Sequence, residues 1–160
     1  MADMDNGRRL LAGAGHGALA TVAMSAVMVA GLAAGVSPMP KPVPVALVAH
    51  TLGMSPGPAL LVLAAAAHLA YGTVAGAVFA GLVRRVAVWQ AVVFAVVLWV
   101  LMGLVWLPYL GWGVFGTGLT PKIAVATLVL HLVYGLTLGL LLARRTRRHL
   151  TVSSRERMAL

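Results

Sequence analysis

Two histidines recur in one local setting. His68-Leu69-Ala70-Tyr71-Gly72 is followed by Gly76, and His131-Leu132-Val133-Tyr134-Gly135, 63 residues later, by Gly139. The chain has only five histidines and three tyrosines, so their return in the same register carries weight. Imidazole can move protons, ligate a metal or haem, or simply hydrogen-bond. The neighbours narrow that choice. On a helix, His68, Gly72 and Gly76 fall at i, i+4 and i+8, on one face with Tyr71 beside them; His131, Gly135, Gly139 and Tyr134 repeat this. Glycines at that spacing let another helix backbone approach closely. The simplest chemistry is therefore a packing motif, with neutral imidazoles bonding hydroxyls or carbonyls of neighbouring helices. The sharper alternative is a haem-b electron carrier. His68 and His131 would be its two axial ligands, and Gly72 and Gly135 would leave room for the macrocycle. No arginine adjoins either histidine to hold propionates.

Other chemistries lack material. There is no cysteine, and no acidic residue lies between Leu10 and Arg155. Paired-carboxylate catalysis is thus excluded from the apolar part, and Ser25 has no acid to complete a triad. Without cysteine or carboxylate the ligand set for zinc or copper is thin, and no metal site is expected. The glycines from Gly111 to Gly118 follow a helix rather than a strand, the wrong context for a phosphate loop. No catalytic residue emerges, and the chain reads as non-enzymatic. His16 belongs near one helix end, His50 to a short segment and His149 to the tail. Only His68, His131 and Gln90 are polar enough to lead a proton, which leaves a small-solute carrier as a third reading.

These residues need elements to position them, and composition says which. Of 160 residues, 61% are hydrophobic and 9% charged, with a mean hydropathy of +0.99. Soluble domains carry about 25% charged residues, so this chain belongs in a bilayer. Charges divide it into uncharged runs of 31, 42, 36 and 21 residues, starting at Leu10, Pro42, Val86 and Ile123. Each is long enough to cross about 30 Å of hydrocarbon as a helix, and lipid requires the backbone to satisfy its own hydrogen bonds. The breakers set the boundaries. Spans are expected at 10–36, 58–83, 86–107 and 120–143, with a short interfacial helix at 43–53. Pro38, Pro40 and Pro42 end the first, and Pro108 the third. Pro58 and Thr120-Pro121 open the second and fourth. Tyr109, Trp112 and Phe115 stand where interfacial anchors would.

The expected fold is all-α: one four-helix transmembrane bundle over 10–143 made of two tandem hairpins, a parallel repeat. A tail at 1–9 and a basic tail at 144–160 flank it. Along helix 1, Gly17, Thr21, Ser25 and Met28 share a stripe facing the motif, with Gly13 and the Gly31/Gly35 pair adding small contacts; Thr73 on the second span and Thr127 and Thr137 on the fourth supply further hydroxyls. Each histidine lies ten residues after the proline that opens its helix, about 15 Å deep and near the midplane. Ten arginines fall on one side of the membrane and Lys41 and Lys122 on the other. The positive-inside rule then puts both termini in the cytoplasm. The net charge of +9 reads as this topology signal plus headgroup contact, not as a nucleic-acid surface. Expected partners are the lipid bilayer and either further copies of the chain or a larger membrane complex.

The stretch from Ala20 to Met28 (Ala-Thr-Val-Ala-Met-Ser-Ala-Val-Met), the proline-rich stop at Pro38 to Pro44 and the two His-x-x-Tyr-Gly motifs carry a resemblance. Over most of its length the chain resembles uncharacterised prokaryotic four-span membrane proteins, domains of unknown function of the YagU-related kind. The resemblance implies a four-helix protein of the plasma or inner membrane and transfers no catalytic residue or cofactor. With it, a scaffold or accessory subunit is the expected role.

Overall fold

The computed structural model describes the backbone of residues 2–158 and the side chains of residues 6–144. Among the described residues the regular structure is helical: α1 (Ala2–Ala33), α2 (Val43–Leu52), α3 (Pro58–Leu82), α4 (Val88–Leu101) and α5 (Lys122–Met158). A π-helical turn, Met102–Trp106, and a last short turn, Leu107–Tyr109, prolong α4. Four of these are long and apolar enough to cross a membrane, at Asn6–Ala33, Pro58–Leu82, Val88–Tyr109 and Lys122–Arg144. Their outward faces are hydrocarbon: Leu11, Val62, Val97 and Val125 all stand exposed. In water such a surface would be a liability. In lipid it is the solvated side.

The helix ends depart from expectation in instructive ways. The first helix stops at Ala33, before the prolines. Gly35 has φ +70°, its N–H bonds to the Leu32 carbonyl, and the N–H of Val36 bonds to Gly31. This paired bonding about a left-handed glycine is a Schellman stop. Gly31 and Gly35, expected as packing contacts, therefore punctuate the chain instead. Gly53 (φ +63°) closes α2 with a left-handed turn of its own, its N–H and that of Met54 both bonded to the Ala49 carbonyl. At the far ends, α1 begins earlier than residue 10 and α5 runs past Arg144-Arg145. From Leu140 to Met158 there is neither glycine nor proline, and charge alone does not break a helix. The side chains of Arg145 to Arg157, and His149 among them, lie outside the described residues.

Pro108 does not end α4. Its missing N–H would leave a carbonyl without a partner one turn earlier. The chain widens there into i→i−5 bonding, Leu107 N–H reaching Met102 O, and continues to Tyr109. A π turn absorbs such a mismatch within a helix. At the other end α4 starts at Val88, where the Gln90 side chain accepts the Ala87 N–H at 2.9 Å. The amide proposed to lead protons is thus occupied as a cap.

Helix α1 packs along α3, α4 along α5, and α1 also meets α5. The short α2 lies against α3, with Val43 and Ala46 buried, and its far end is tied to α4. His50 meets the Tyr109 ring edge-on at 4.8 Å, and Thr51 Oγ1 lies 3.3 Å from the Tyr109 hydroxyl. Arg9 donates from α1 to the carbonyls of Ala80 (2.6 Å) and Val83 (3.3 Å). These belong to the last turn of α3, whose carbonyls have no helical partner. Arg9 therefore fixes the start of α1 beside the end of α3.

Candidate functional site

The two motifs meet. Tyr134 Oη donates a 2.8 Å hydrogen bond to the Gly72 carbonyl, both buried. One motif's tyrosine thus ends on the other motif's glycine. Tyr71, its counterpart, is 41% exposed and turns towards Trp106, so the repeat in sequence does not give identical contacts.

The glycines are used for close approach. A Cβ on Gly72 would strike the Thr21 hydroxyl, and one on Gly76 the backbone of Gly13 and Gly17. Gly135 faces Ala91, Val92 and Ala95, and Gly139 faces Val88 and Ala91. Each motif therefore seats the preceding long helix of its own half. This also bears on haem. The space expected beside Gly72 and Gly135 for a macrocycle is filled by α1 and α4.

The stripe on α1 sits as expected. Thr21 bonds back to the Gly17 carbonyl (2.8 Å) beside Gly72, and Ser25 Oγ lies 3.3 Å from His68 Nδ1. His131 is buried at 7% exposure, and its Nδ1 donates to the Thr127 carbonyl at 2.8 Å. Thr127 donates to Ile123 O (2.7 Å) and accepts from Trp99 Nε1 (3.2 Å). Thr73 bonds only within its own helix. His16 bonds the Ala12 carbonyl on α1 (2.6 Å); it and His50 take no part in the shared site.

Both motif histidines line one cavity of about 230 Å³. Met24 and Met28 of α1, Met102, Tyr71, Trp106 and Leu130 also line it, and Met39 with Val43, Pro44 and Leu47 closes the end beside α2. Each ring makes its hydrogen bond through Nδ1, His68 with Ser25 Oγ and His131 with the Thr127 carbonyl, and neither uses Nε2. Among the described residues no sealed side-chain nitrogen lacks a partner, so both Nε2 atoms open onto accessible space. The volume is below the range of about 300–1,000 Å³ that holds a drug-sized ligand. A porphyrin does not fit it.

Sequence reasoning named Met28 on the α1 stripe but missed Met24, Met39 and Met102 as cavity lining. Met24 was within reach, one turn before Met28 on the same face of α1. Met39 and Met102 reach the cavity through tertiary folding alone. Trp112 and Phe115 also differ from expectation. Trp112 is 8% exposed within the core, and Phe115 packs on Trp99 with ring centroids 4.5 Å apart. Phe115 thereby seats the loop on α4, and Trp112 belongs to the core.

Replacing His68 by leucine removes one long interhelical contact from a helix pair held mainly by backbone proximity. Such bonds in lipid average about 0.6 kcal/mol. His68→Leu should therefore melt only slightly below the wild type in a detergent thermal unfolding assay. A large loss would mean that the imidazole, not the glycines, holds α1 to α3.

Residues 7–152 match the family described as a family of unknown function, DUF6789, and the chain belongs to it. The match meets the expectation of an uncharacterised domain and does not extend to the YagU type. No curated protein and no solved structure matches.

Proposed function

We propose that this member of a family without assigned activity is a non-enzymatic integral membrane protein, a scaffold or accessory subunit. It sits in the plasma or inner membrane as a four-helix bundle with both termini cytoplasmic. The observation that carries this reading is the use made of the repeated motif. Gly72, Gly76, Gly135 and Gly139 are consumed by close helix contact, and Tyr134 joins the two copies. The tandem-hairpin arrangement is supported by the same contacts, which pair α1 with α3 and α4 with α5.

The orientation rests on arginine placement. Arg9 reaches the end of α3 just ahead of Arg84-Arg85, which groups two of the basic clusters at one end. The haem and solute-carrier alternatives draw no comparable support: the glycine space is filled and Gln90 is spent as a cap. Wide apolar faces on all four spans remain available to lipid, to a second copy or to partner helices.

Two measurements test the proposal. Reporter fusions at residues 1 and 160 should both report a cytoplasmic location, and a fusion in the segment 37–42 an external one. Mild-detergent purification from native membranes should recover a stoichiometric partner or a second copy. Opposite reporter signals for the termini would overturn the topology. Recovery of a lone monomer would overturn the accessory role.

A further inference from the structure

We propose that the cavity shared by His68 and His131 binds a single Cu(I) ion, ligated by the two imidazoles and the thioethers of Met24 and Met28. Met102 and Met39 would supply further thioethers along the same cavity. Four of the chain's eight methionines and two of its five histidines line this one space. Methionine is a flexible filler of irregular cores, and packing alone would account for one or two of them. It does not account for their gathering in the one space that both imidazoles line.

The ligand types select the metal. Thioethers are soft donors that favour Cu(I), and imidazole suits copper equally. No carboxylate or thiolate is present in the spans to neutralise a bound ion. The desolvation cost of an ion rises with the square of its charge, so an all-neutral ligand set inside a bilayer tolerates a monovalent cation far better than Zn(II) or Cu(II). Sequence reasoning dismissed copper because it counted cysteines and carboxylates and left thioethers out.

The surroundings of the ligands agree. His131 Nδ1 donates to the Thr127 carbonyl at 2.8 Å, which fixes its proton there and leaves Nε2 as the lone pair facing the cavity. Metal-binding histidines are oriented in this manner by a backbone or carboxylate acceptor. Thr127 is itself held by Trp99 and Ile123. On α1, Ser25 contacts His68 at 3.3 Å, and Met24 and Met28, one turn apart on the adjoining face of the same helix, line the cavity with that imidazole. Met102 and Met39 line the same cavity, the latter from the loop before α2. This inference is independent of the accessory role, since a chain that binds no partner would still bind the ion.

The test uses the full-length protein in detergent, kept anaerobic and reduced, and titrated with Cu(I) against the chromophoric competitor bicinchoninate; Zn(II) serves as comparator. The expected result is one Cu(I) per chain, with sulfur scatterers in its X-ray absorption spectrum. Met24→Leu combined with Met28→Leu keeps the side-chain volume. It should lose sulfur signal and weaken binding by at least about 10–100-fold, the loss already seen when only the outer-shell partners of metal ligands are removed. Met54→Leu, outside the cavity, should change neither. Absence of stoichiometric binding, a wild-type copper spectrum without sulfur, equal affinity for Zn(II), or unchanged binding in the Met24/Met28 double variant would each overturn the proposal. The wild-type spectrum decides even if that variant fails to fold.

Discussion

Gly76→Leu is expected to separate α1 from α3 and leave almost no monodisperse protein after detergent extraction. Gly135→Leu should do the same to α4 and α5. The obstacle at Gly76 is backbone on the opposing helix: a Cβ would overlap the Gly13 carbonyl and lie 2.6 Å from Gly17 Cα. At Gly135 it would lie 2.6 Å from Ala95 Cβ and 2.7 Å from the Ala91 carbonyl. Side chains can rotate away from an intruding methyl; a helix backbone can only be pushed apart. Ordinary overpacking costs about 1–3 kcal/mol, and a whole leucine against backbone exceeds that range. Separation is especially damaging in lipid, where no hydrophobic force draws the helices back together. Gly15→Leu on α1 is the control, since a Cβ there meets nothing within 4 Å. Fluorescence-detected size exclusion and thermal melting read the result. A Gly76→Leu protein as well behaved as Gly15→Leu would remove the physical basis assigned to the motif.

How much of this was legible beforehand follows the physics of each signal. Spans could be placed because lipid demands long uncharged helices, and Pro58 and Thr120-Pro121 marked two starts within a residue or two; Lys122 N–H indeed faces Thr120 Oγ1 at 3.4 Å. The motif could be found because rare residues repeat, and its glycine face because helical spacing is fixed. The stripe Gly17, Thr21, Ser25 and Met28 was right for the same reason. Gly31 and Gly35 carry the identical four-residue spacing yet serve as a helix stop, since spacing cannot distinguish a contact from a left-handed turn. Pro108 misled because a π turn can absorb a proline when neighbours hold the helix in place. The cavity lay beyond local pattern altogether. It is assembled from α1, α2, α3, α4, α5 and the loop before α2, and only folding brings Met39 and Met102 to the histidines.

The loop between α4 and α5 holds the second large effect, a coupling between Gly103 and Phe115. A Cβ on Gly103 would run into the Phe115 ring, which already packs at a tilt on Trp99 with centroids 4.5 Å apart. Trp99 is fixed in turn by its indole N–H, 3.2 Å from both the Ala124 carbonyl and Thr127 Oγ1. The ring has nowhere to go, so Gly103→Leu should cost about 3 kcal/mol, the upper end of overpacking. Phe115 itself has φ +53°, a conformation unfavourable to any residue with a Cβ. Phe115→Gly relieves that strain while giving up the ring's contacts; loss of a buried phenylalanine costs about 3–5 kcal/mol, and this one is only half-buried. In the double variant the leucine at 103 enters the space the ring vacates. The two losses should then fall short of their sum by about 1–3 kcal/mol, the coupling expected of groups in direct contact. Strict additivity in a four-variant thermal unfolding cycle would mean that Phe115 does not occupy the seat beside Gly103.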